Sequence, residues 1–125
     1  LNVICCLILA HGFIFYPDAL AGVFTDDAAI ITYTSDLLTV VFGAVILFGV
    51  ATVPFNVISG SGDTLSAFII EACVIVVYLL LCYLVVEVWH GSLTAVWCME
   101  YMYFGSFVII SVLYIRSGRW KRIKV

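Results

Sequence analysis

Two glutamates stand where the sequence around them supplies no charged company. Glu71 interrupts "FIIEACVIVV" at positions 68–77, and Glu100 interrupts "AVWCMEYMYF" at positions 95–104. A carboxyl group in such surroundings has a small chemical repertoire: it takes up or gives up a proton, it ligates a cation, or it bonds as a neutral acid to a neighbouring polar group. Catalysis is not in that repertoire here. The chain has no His/Cys/Asp cluster and no nucleophile elbow, and "GSGD" at 60–63 lacks the lysine and preceding strand of a phosphate loop. The sequence predicts no enzyme, no catalytic residue, no bound metal and no cofactor.

Helical spacing places other polar groups in line with the two acids. Thr52, Asn56 and Ser59 fall at i, i+4 and i+7 and share a face with Gly49. Glu71, Tyr78 and Cys82 share another face, and Glu100, Tyr103, Phe107, Ser111 and Tyr114 form a third column. Asn56, Thr52, Tyr103 and Tyr78 are therefore candidates for lining a polar pathway, with Glu100 and Glu71 as its proton or cation carriers. The competing reading of the small and hydroxyl residues is close helix packing.

The elements that must position these groups follow from composition. Apolar residues make up 66% and charged residues 10% of the 125 positions, where soluble chains hold roughly 45–50% and 25%. A soluble fold of this size cannot hide that much hydrocarbon, so a lipid bilayer is the expected solvent. Apolar runs occupy 1–16, 37–59, 65–86 and 92–115. The last three are long enough as helices to cross a core of about 30 Å, and none alternates as a barrel strand does. The expected fold class is all-α, a polytopic transmembrane bundle of about four helices. A carboxylate at mid-membrane costs on the order of 3 kcal/mol on the most lenient scale, so it turns toward a protein interior or cavity. At 1.5 Å per residue, Glu71 lies about 9 Å and Glu100 about 13 Å into their helices.

Charge placement fixes the orientation. All five cationic residues, Arg116, Arg119, Lys121, Arg122 and Lys124, follow the last apolar run. Under the positive-inside rule this basic tail is cytoplasmic, and the chain is a multi-pass protein of the cytoplasmic (inner) membrane. The loops holding Asp18, Asp26, Asp27 and Glu87 are then external, and "SGSGDT" is a cytoplasmic turn. Thr25 is the expected N-cap of the second span, with Asp26 and Asp27 in its first turn. Pro54 predicts a kink, and Gly60 and Gly62 supply the freedom to end the helix. Trp89 and Trp120 suit opposite interfaces. Five dispersed cysteines and the isolated His11 and His90 read as structural. Starting at Leu1 within an apolar run, the chain reads as a piece of a longer protein.

"ISGSGDT" between two apolar helices, the proline-bearing helix before it and the closing "YIRSGRWKRIKV" together resemble the end of a multidrug and toxic compound extrusion (MATE) transporter. The resemblance runs from the end of a ninth helix through the twelfth. It implies a twelve-helix fold of two bundles around a central cleft. It also implies exchange of small organic molecules for H+ or Na+ by alternating access, with the remaining helices of the same full-length protein as partners and no nucleic acid. Gly60, Gly62, Asp63 and Thr64 match the cytoplasmic turn between the tenth and eleventh helices, a structural role. One branch of the family carries a cation-binding acid in the tenth helix, and the corresponding place here falls near Phe48 or Gly49, neither of which ligates a cation. The expected function is cation- or proton-coupled antiport exporting organic, cationic or apolar compounds. The alternatives are a lipid-linked oligosaccharide flippase of related fold, against which the absence of Lys and Arg from the spans counts, and a non-transporting membrane subunit.

Overall fold

A computed structural model describes residues 1–119. Trp120, Lys121, Arg122 and Lys124, the expected interfacial tryptophan and most of the basic tail, lie outside the described residues. Among the described residues the regular structure is entirely helical: α1 (Asn2–Ala10), α2 (Gly12–Phe15), α3 (Pro17–Gly22), α4 (Ala28–Gly60), α5 (Thr64–Tyr83) closing in a π-helical turn (Leu84–Val88), and α6 (Leu93–Arg116).

Three of these helices are long and apolar enough to cross a membrane: α4 with 33 residues, α5 with its π-helical turn with 25, and α6 with 24. Even the shortest extends about 36 Å at 1.5 Å per residue. Their outer faces carry Leu79, Leu80, Ile109 and Leu113, each about 60% exposed. Such surfaces would drive aggregation in water, whereas hydrocarbon solvates them and the helices satisfy their own backbone. The chain is an all-α bundle of a multi-pass membrane protein.

The helix ends are set by side chains. Asp27 caps α4, its Oδ1 accepting from the N–H of Ala29 at 2.9 Å and of Ile30 at 3.4 Å. This corrects the expectation of Thr25 as the cap. The Thr25 hydroxyl accepts instead from the N–H of Asp27 at 3.2 Å, a bond one step upstream that holds the capping residue in place. Ser92 caps α6 by accepting from the N–H of Ala95, and Pro17 opens α3, where a missing N–H costs nothing. The first apolar run is broken, with His11 at the junction of α1 and α2. α4 continues through Pro54 as one helix.

Cross-helix partners reveal the packing directions. Val40 with Tyr101, Phe48 with Phe104 and Phe55 with Phe107 advance together, so α4 and α6 run parallel. Tyr78 with Glu100 and Ser66 with Tyr114 advance in opposite senses, so α5 runs antiparallel to α6. Asn2 bonds to Thr52, and Asp18 accepts from Ser35, which lays the α1–α3 segment back along α4. Ala51, Ile58, Ala67, Ile70, Val74 and Phe107 form the core where α4, α5 and α6 meet. Ala51 and Ala67 are small enough to let the helices close on Phe107.

At two glycines the helices touch through the missing side chain. A Cβ on Gly49 would stand 2.9 Å from Cys6 Sγ, and one on Gly43 would collide with the Tyr101 hydroxyl. Overpacking of this kind costs roughly 1–3 kcal/mol. Gly49→Val in the full-length protein should lower the thermal unfolding temperature in detergent, while Gly105→Ala, whose added Cβ meets nothing within 4 Å, should not.

Candidate functional site: two acid-bearing clefts

Both glutamates face the seams between helices. Glu100 lines a cleft of about 300 Å³ with Val41, Ala44, Val45, Phe48, Trp97 and Phe104. Glu71 lines a second, of about 120 Å³, with Phe48, Ala51, Thr52, Phe55, Tyr103, Phe104 and Phe107. Both acids are half-buried. Phe48 and Phe104 border both clefts, their rings 5.5 Å apart in an edge-to-face pair. These two rings form the wall between the two acids.

The Tyr78 hydroxyl donates to Glu100 Oε1 at 2.6 Å across the α5–α6 seam. Tyr103 packs against Tyr78 with centroids 5.3 Å apart and stacks on Phe107 at 6.0 Å. Its ring, packed edge-on against Phe104, extends the aromatic lining of the Glu71 cleft. Glu71 has polar company of another kind: the hydroxyl-bearing Thr52 and Tyr103 share its cleft. A cavity holds water when it has room and two or more polar partners, and the Glu71 cleft offers both. An ionisable group, a wettable space and an aromatic wall together suit a site that binds a proton, a small cation or an organic cation.

The other candidates divide. Thr52 lines the Glu71 cleft and also accepts from Asn2 Nδ2 at 2.6 Å, while that amide reaches the Gly49 carbonyl at 2.9 Å. Thr52 thus both ties helices together and borders the cavity. Asn56 is exposed on α4 and borders neither cleft. Tyr103 lines the Glu71 cleft and packs against Tyr78, which borders neither cleft and bonds to Glu100. Ser111 is fully buried below Phe107, and among the described residues its Oγ has no hydrogen-bond partner. The five cysteines are free thiols, and His90 sits exposed in the turn before α6 with φ of 49°.

The turn between α4 and α5 has its own polar cluster. Gly62, with φ of 87°, makes the reversal, while Gly60 is simply the last residue of α4 and has no positive φ. Asp63 is buried and caps α5 by accepting from the N–H of Ser66 at 3.2 Å. Its other oxygen accepts from the Tyr114 hydroxyl, which also contacts Ser66 Oγ at 3.0 Å. Thr64 is the first residue of α5. This end of α6 is therefore fastened to the turn through a side-chain bond.

Sequence reasoning missed Asn2, Trp97, Tyr101 and the Asp63–Tyr114 bond. Asn2 and Tyr101 act over separations of 47 to 61 residues, which local spacing does not encode. Tyr114 was visible at the end of the Glu100 column, but its partner was not. No family model, curated protein or solved structure matches this chain.

The Tyr114 bond gives a pH signature. The Tyr114 hydroxyl, and after it the bonds from Ser66, outweigh burial and hold the Asp63 carboxyl below its ordinary value of 3.8. A depressed folded-state value stabilises the fold fully above 3.8, and the contribution is lost as pH falls through the lower folded value. Tyr114→Phe should reduce thermal stability at neutral pH. The gap to the native protein should narrow as unfolding is followed downward from pH 3.8.

Proposed function

We propose that this chain is the C-terminal part of a MATE-like secondary transporter of the cytoplasmic membrane, with its C-terminus on the cytoplasmic side. In this reading it exports small organic, cationic or apolar compounds in exchange for protons or sodium ions by alternating access. The observation that carries the reading is the placement of Glu71 and Glu100 in adjoining interhelical clefts that share the Phe48–Phe104 wall. Ion-coupled carriers need an ionisable group that water or an ion can reach from within the bundle, and intramembrane acids with this placement serve that purpose by default. Aromatic walls beside a carboxylate favour organic cations. Arg116, in the last turn of α6, begins the basic stretch that supports a cytoplasmic C-terminus.

A second reading has one observation in its favour. The 2.6 Å bond from Tyr78 to Glu100 is also what a neutral acid would make in a non-transporting membrane subunit, where the carboxyl only joins α5 to α6.

Glutamine retains the shape and much of the hydrogen bonding of glutamate but carries no titratable proton. In efflux of ethidium by the full-length protein, Glu100→Gln should lower the rate by at least about tenfold, the effect of roughly 1.4 kcal/mol on a limiting step. Glu71→Gln should lower it in the same direction. Native efflux in both variants would remove the two acids as coupling residues, and absence of efflux by the native full-length protein would favour the subunit reading.

A further inference from the structure

We propose that the groove between α4 and α6 at the Arg116 end of the bundle binds an anionic phospholipid, with one acyl chain lying in the groove and the phosphate paired with Arg116. The inference goes beyond the transport reading and does not depend on it.

The groove holds about 460 Å³, more than either acid-bearing cleft. Val50, Val53 and Val57 of α4 form one wall and Val108 and Val112 of α6 the other, with Val3 of α1 beside them. From Val50 to Val57 the wall runs about 10 Å along the helix axis. Valine is short and, in a helix, held almost entirely in one rotamer. These walls can therefore neither fill the seam nor swing across it. Pro54 adds a compact ring without an N–H donor. None of the residues lining the groove carries a polar side chain, so its fitting content is hydrocarbon. A flexible acyl chain follows such a track through many small dispersion contacts.

Two observations favour a chain with a charged head over another helix. Membrane helices meet closely through Gly, Ala, Ser and Thr, and none of these lines the groove. The α6 wall also leads to a cation. Val108, Val112 and Arg116 fall at i, i+4 and i+8 on one face, and Ile115, next to Arg116, lines the same groove. Arg116 stands in the last turn of α6 and is exposed. Among the described residues no carboxylate pairs with it. Its guanidinium matches a phosphate bidentately, and its stem can lie along the apolar wall while the head stays at the membrane surface. A zwitterionic phospholipid brings its own cation to the phosphate, so a basic group at the end of a span selects the anionic class.

The test uses the full-length protein in phosphatidylcholine vesicles that contain phosphatidylglycerol with a photoactivatable diazirine in one acyl chain. Labelled sites are mapped by mass spectrometry after digestion. Labelling should concentrate on residues 50–57 and 108–115 and exceed that at Leu79 and Leu80, which stand exposed on an outer face. An excess of unlabelled phosphatidylglycerol should compete it away, and added inorganic phosphate should not. Arg116→Gln should lower it about fivefold, the effect of one basic group beside anionic lipid, and Arg116→Lys should restore most of it. Val53→Phe, at a half-exposed position, should fill the groove and lower its labelling without changing that at Leu79. Equal labelling of the groove and of Leu79 and Leu80, or labelling that Arg116→Gln leaves unchanged, overturns the proposal and makes the groove ordinary lipid-facing surface. Competition by inorganic phosphate overturns the choice of a lipid. Groove residues left unlabelled overturn the proposal too, because another helix of the full-length protein then covers them.

Discussion

The arrangement depends on an acidic side chain set among apolar ones. Lipid will not solvate it, and no Lys or Arg occurs before Arg116 to neutralise it. Glu100 meets this constraint with a phenol: Tyr78 reaches across the seam and supplies the hydrogen bond that water would otherwise give. That bond fixes the rotation of α5 against α6. With α5 so turned, Glu71 comes to lie one seam over, between α4 and α6. Each acid thereby gains a cavity of its own, and neither is left on an outer face.

The aromatic side chains complete the design. Phe48, Phe104, Tyr103 and Phe107 form a connected series of edge and stacked contacts between the two acids. Rings pack densely without adding charge, so they can separate two clefts within a narrow bundle. Below them the core is built from Ala51, Ile58, Ala67, Ile70 and Val74. At the end of the bundle the Asp63–Tyr114 bond pins α6 to the turn between α4 and α5. The two ends of α6 are thus held differently, by a capping serine at one and a buried aspartate at the other. Glu100, bonded to Tyr78, lies between them.

Much of this was legible in the sequence because the bilayer reduces the problem to periodicity and polarity. The long helices followed from apolar length. The inward column of Glu100, Tyr103, Phe107, Ser111 and Tyr114 followed from helical spacing, and the structure places Phe107 and Ser111 in the buried interior. Asp63 was readable as part of a turn because Gly and Asp at a helix junction have local reasons to be there. What spacing could not supply were pairings between helices. Nothing near Asn2 announces Thr52, and nothing near Tyr101 announces the carbonyl of Val40. The cap of α4 was misplaced by two residues because Thr25 and Asp27 both cap well, and only the three-dimensional path of the chain decides between them. Asn56 satisfied the helical pattern of a lined pathway and yet lies exposed, since a stripe on one helix does not specify which neighbour it meets.

The central claim is that the two acids look into water-accessible space inside the bundle while the residues beside them look into lipid. Cysteine scanning tests it directly, using the full-length protein in membranes, a background in which the native thiols are replaced by alanine, and a water-soluble maleimide. Cysteines at Glu71 and Glu100 should react, and cysteines at Leu79 and Ile109, both exposed on outer faces, should not. Inert positions 71 and 100 beside reactive positions 79 and 109 would contradict the account.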